Sequence, residues 1–103
     1  MVSPDPHAPA RELIGTELQR VVRRWQQLPL DHALSVAPTV RELVQSLADR
    51  VAAAEGMPCV PVPDLGPAVL MDQLRVMIYD HDLAGLDPEP LAAELTALRR
   101  AIG

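Results

Sequence analysis

The stretch Pro67 to Leu83, PAVLMDQLRVMIYDHDL, constrains the fold more than any other part of the chain. It is apolar on nearly every side, yet it ends in the polar cluster Tyr79-Asp80-His81-Asp82. A helix that is hydrophobic almost all round needs other elements to enclose it. The expectation is therefore a central helix in a small bundle, with any unusual chemistry close to it.

The remaining helices follow from periodicity. Leu13, Ile14, Leu18, Val21, Val22, Trp25 and Leu28 recur at spacings of three and four, one apolar face over residues 9–28. Pro9 suits the first turn, where its missing N–H costs nothing, and Pro29 stops the helix. Leu30 to Ser35 reads as a single turn begun by Asp31. A second helix over 39–55 starts cleanly, because Thr39 and Glu42 have capping-box spacing. Its buried face is Val40, Leu43, Val44, Leu47, Val51 and Ala54, and Gly56 ends it in the left-handed conformation. The third helix spans 67–83 and Gly85 breaks it. The last, 88–102, is capped by Asp87 with Pro88 in its first turn, and Leu91, Leu95, Leu98 and Ile102 form its face. Arg99 and Arg100 complement its C-terminal dipole.

Between the second and third helices, residues 57–66 contain Pro58, Pro61 and Pro63. Proline removes ladder donors and fixes φ, so an extended, polyproline-like connector is expected there. So stiff a segment is able to cross the bundle and carry the third helix to a non-adjacent position. Residues 1–8 show no periodicity and read as a flexible tail. The expected fold is all-α: a four-helix bundle over a single domain, 9–103, with an entwined dimer as the competing outcome.

Composition narrows the function classes. A chain of 103 residues buries only about two-thirds of its unfolded surface, yet 49% of this one is hydrophobic. Surplus apolar surface is expected to be covered in an oligomer or a complex. With no Phe, one Trp and one Tyr, the core must be aliphatic. The nine basic residues are all Arg, which fits the codon bias of a GC-rich bacterial genome. A net charge of −5 argues against nucleic acid as a partner, and against a DNA-associated, antitoxin-like regulator, since that role needs a positive surface. The lone Cys59 excludes an internal disulfide and fits a reducing cytoplasm. No signal-peptide pattern opens the sequence, and no run has the length of a membrane span.

Two clusters are candidate sites. On the third helix Asp72, Arg75, Tyr79 and Asp82 share one stripe, with Asp80 and His81 beside it. As ligands or an acid–base group they would serve a small-molecule or enzymatic bundle. The structural alternative pairs Asp72 with Arg75 and leaves the rest as a solvated helix end. Adjacent helical residues point about 100° apart, so Asp80, His81 and Asp82 do not converge within a regular helix. Metal-ligand spacing is absent too. On the first helix Arg20, Arg23 and Arg24, with Trp25 as an interface anchor, would suit an acidic protein surface. The structural alternative is a solvated face around a core Trp. Cys59 lacks a cationic neighbour in sequence and reads as a small buried hydrophobe; His7 and His32 read as solvated. Val60-Pro61-Val62-Pro63 offers a docking segment for an aromatic groove, or a rigid spacer. No nucleophile elbow, phosphate loop or cofactor motif occurs, so no cofactor is expected. The expected function is a small non-enzymatic helical module for protein–protein interaction, self-associating as a homodimer. The alternative is the ligand-binding or enzymatic bundle.

Overall fold

A computed structural model describes residues 4–103. It contains four α-helices: α1 (Ala8–Gln27), α2 (Leu30–Ala54), α3 (Pro67–Leu83) and α4 (Pro88–Ile102). No strand occurs among the described residues, so the chain is all-α as expected. The helices fall into two compact units. One combines the described residues up to 26 with 87–103; the other is 27–86.

In the first unit, α1 and α4 run in the same direction. His7, just before α1, places Nδ1 3.8 Å from a carboxylate oxygen of both Asp87 and Glu89 at the start of α4. Ten residues further along α1, Glu17 accepts from the Arg99 Nε–H near the end of α4. The expected face of α4 is buried throughout, Leu91, Leu95, Leu98 and Ile102 together with Ala92. The Asp87 side chain caps the helix by accepting the Glu89 N–H at 3.0 Å.

The buried face of α1 differs from expectation. It is Ala10, Glu17, Val21, Val22 and Trp25, while Leu13 is 41% exposed and Ile14, Leu18 and Leu28 are half-buried. Of the tail expected at 1–8, residues 1–3 lie outside the described residues. Ala8 belongs to α1, and Asp5 accepts the His7 N–H at 2.9 Å while also receiving Arg11. The His7 amide, ahead of the Arg11 guanidinium, holds the Asp5 carboxyl below its ordinary value of 3.8. This small contribution is present above that pH and lost as pH falls below it.

In the second unit, α2 overturns the expected start at Thr39. It is one helix of 25 residues that passes through Pro38. Proline inside a helix removes one hydrogen bond and crowds the carbonyl four residues back, at a cost of about 3 kcal/mol. Helix persists because the buried series Ala33, Ala37, Val40, Val44, Leu47 and Val51 continues across the proline at unbroken helical spacing. Thr39, already inside the helix, caps nothing; the N-cap is Pro29, without a side-chain bond. Ala54, expected in the core, is exposed.

Gly56 closes α2 at φ 69°, the left-handed conformation that glycine adopts without a Cβ penalty. The Met57 N–H reaches Ala52 O at 2.8 Å and the Gly56 N–H reaches Ala53 O at 3.2 Å. This double closure is a Schellman motif, and Gly85 repeats it after α3.

The connector then runs back along α2. Cys59 Sγ faces Asp49 O at 3.9 Å, Gln45 holds Val60 and Val62, and Arg41 pairs with Asp64 at 3.1 Å. Rising connector numbers meet falling α2 numbers. Each extended residue advances about twice as far as a helical one, so a short connector returns along most of α2. The start of α3, at Leu70 and Gln73, therefore lies beside Pro38, Arg41 and Gln45. Further along, Val76 and Met77 lie beside the connector's Val60 and Pro61. Thus α3 runs in the same direction as α2 and directly against it. The crossing that so stiff a connector is able to make does not occur: it runs back along α2 and supplies the return that two parallel neighbours require.

Only part of α3 is enclosed, which corrects the expectation drawn from its composition. Leu70, Met71, Leu74, Ile78 and His81 are buried. Val76, Tyr79 and Leu83 are exposed by 52%, 64% and 67%.

Candidate functional site

The charged residues singled out on α3 are placed as helical geometry dictates. Asp72 and Arg75 pair with each other at 3.3 Å and both are exposed. Tyr79 and Asp82 are exposed, Asp80 is half-buried, and His81 is buried at 3%. The stripe therefore faces solvent along its whole length, and of its two neighbours Asp80 is half-buried and His81 interior. Asp72 alone among the six lines a groove described below.

On α1, Arg20 donates to Glu17 at 3.2 Å, so one member of the Arg cluster neutralises a buried carboxylate. Arg23 is exposed, Arg24 half-buried, and Trp25 buried at 9%. Cys59 is exposed, which corrects its reading as a small buried hydrophobe. The connector lies on the outside of α2, so its thiol has no interior to enter. Of the two histidines read as solvated, His32 is exposed, whereas His7 stands against Asp87 and Glu89.

What the reading of charges missed is an apolar groove between the connector and α3. Residues 60–63 form one wall and Val69, Gln73, Val76 and Met77 the other, with Asp72 at the rim; its volume is about 510 Å³. Most of this lining is hydrocarbon. A second groove of about 380 Å³ lies on the α2 side of the same connector, where Arg41, Glu42 and Gln45 make it more polar.

Two glutamines hold the connector between these grooves. Gln45 uses both ends of its carboxamide: Nε2 donates to Val60 O at 3.1 Å, and Oε1 accepts the Val62 N–H at 2.7 Å. Its Nε2 also donates to Asp49 at 2.8 Å, which orients the amide. From α3, Gln73 Nε2 donates to Pro63 O at 2.9 Å. The pairing works because Gln45 and Gln73 lie on the helix flanks facing the connector, and because residues 60–63 are extended. Fixed φ at Pro61 and Pro63 lowers the entropy lost on docking. The wall of the groove is thus a tethered segment, and exposed Val60, at 66%, is displayed by it.

Among the described residues, no group of three or more His, Cys, Asp or Glu is placed to hold a metal ion, and no helix is long and apolar enough to cross a membrane. No protein-family model, curated protein or solved structure matches the chain.

Proposed function

We propose that this protein is a small non-enzymatic interaction module that binds another protein chain through the groove between the connector and α3. The observation that carries this reading is the exposed hydrocarbon of Val60 and Val76 in a groove whose wall is tethered by Gln45 and Gln73, continued along α3 by exposed Tyr79 and Leu83. Clustered apolar exposure on a small monomer marks an interaction surface. A bacterial cytoplasm suits the module, since an exposed, unbridged Cys59 is stable in reducing conditions. No cofactor is required.

Self-association draws support from a different patch. Leu30 and Leu34, one helical turn apart on α2, are 67% and 51% exposed and continue to exposed Pro38. A homodimer that buries this face would leave the groove open. The ligand-binding or enzymatic alternative has weaker support, because Asp72 and Arg75 neutralise each other in solvent while His81 is interior.

The test is photo-crosslinking in the native cell. A benzophenone amino acid at position 76 should give a discrete adduct that the same probe at exposed Glu12 does not. An adduct heavier by about the chain's own 11.2 kDa identifies a second copy, and any other increment identifies a different protein. Labelling at 76 no stronger than at 12 would remove the groove from the account.

A further inference from the structure

Taking the groove as the docking site of the preceding section, we infer that its occupant is an amphipathic helix of a different protein, with Lys or Arg flanking its apolar face. Three observations lead there.

The first is backbone chemistry. An extended peptide adds to a strand through free N–H and C=O groups. Over residues 60–63 three of the six backbone polar groups are already engaged, and a single N–H, that of Val60, is left to donate. Pro61 and Pro63 have no N–H, the Val62 N–H is taken by Gln45, and the Val60 and Pro63 carbonyls accept from Gln45 and Gln73. One donor does not make the alternating ladder that strand addition uses, so recognition passes through side chains. Apolar positions on α3 at Val69, Val76 and Leu83 repeat every seven residues, the spacing that a helix laid along α3 meets with its own repeat.

The second is charge. Residues 27–86 hold eight of the fourteen acidic residues and three of the nine Arg, so they carry the whole net charge of −5. The rest of the chain has six of each sign. On α3 itself Asp72, Asp80 and Asp82 accompany the apolar stripe, and Arg75 is paired with Asp72. A basic flank on the partner is complementary to this surface.

The third excludes a second copy. An isologous dimer sets the same patch against itself, and α3 brings three Asp against one Arg to that contact from each copy. A head-to-tail contact using the chain's Arg20 and Arg23 solves the charge problem but not the packing. That face of α1 carries Thr16, Gln19 and Gln27 on either side of its arginines, and its one exposed large apolar residue is Leu13.

The experiment uses two labelled designed helices with the same leucine face, one flanked by Lys and the other by Glu. Fluorescence anisotropy with the full chain should show the Lys helix binding about tenfold more tightly, an advantage that narrows as salt is raised. Val76→Glu should weaken the Lys helix, although it makes the surface more acidic; attraction by bulk charge alone would strengthen it. Circular dichroism checks that the variant is folded, and Ala93→Glu, the same added charge at an exposed position of α4 outside the groove, should leave binding unchanged. Equal or tighter binding of the Glu helix would overturn the basic partner while leaving a groove that crosslinks at position 76. Indifference of both helices to Val76→Glu, or no binding of either, would overturn helix docking here.

Discussion

Leu74→Ala is expected to destabilise the protein by about 2–5 kcal/mol. Leu74 is fully buried on the enclosed side of α3, one turn from buried Leu70 and from buried Ile78. Truncation removes the transfer free energy of three carbons and leaves a cavity that two packed helices cannot collapse. Whole domains of this size are stable by only about 5–15 kcal/mol, so the loss is a large fraction of the total. Val76→Ala, two residues further on, is the internal control: Val76 is 52% exposed and its truncation should stay within about 0.5 kcal/mol. Urea unfolding monitored by circular dichroism separates the two. Equal midpoints for both variants would show that α3 has no buried and open sides.

Arg99→Ala is the second large effect, expected at about 2–4 kcal/mol. The Glu17 side chain is 3% exposed, and it is satisfied by Arg99 and by Arg20 at 3.2 Å. Removing one partner of a buried ion pair leaves a desolvated charge behind, a penalty larger than the value of the intact pair. Arg20 remains but is itself 55% exposed, so its compensation is weakened by solvent. Pairing the change with Glu17→Leu should recover most of the loss, because it removes the stranded carboxylate and fills its space with hydrocarbon. A double-mutant cycle in urea measures this directly. An Arg99→Ala variant as stable as the parent would mean that Glu17 is solvated.

The helices were largely legible from spacing and capping, and the departures have physical causes. The bounds of α3 and α4 coincide with expectation because Pro67, Asp87, Pro88 and Gly85 mark them chemically. The start of α2 did not, because burial of Ala33 and Ala37 outweighs the local penalty of Pro38; a local rule has no access to that tertiary gain. Glu17 escaped notice because a carboxylate interrupts an apolar stripe, although it lies four residues before Val21 with Arg20 three residues on. The groove escaped for a related reason. Apolar residues all round α3 signalled a need for cover, but spacing within a helix cannot say whether the cover comes from the same chain. Nor do the connector's prolines reveal that glutamines on both neighbouring helices bind it.

The most direct measurement is amide hydrogen exchange at Val62, whose N–H donates to Gln45 Oε1 at 2.7 Å. A docked connector requires this amide to exchange well below the random-coil rate, and requires Gln45→Ala to return it toward that rate while amides in the middle of α2 stay protected. Random-coil exchange at Val62 in the unaltered protein would mean that the connector is not held against α2 and α3, and that the groove it walls does not persist in solution.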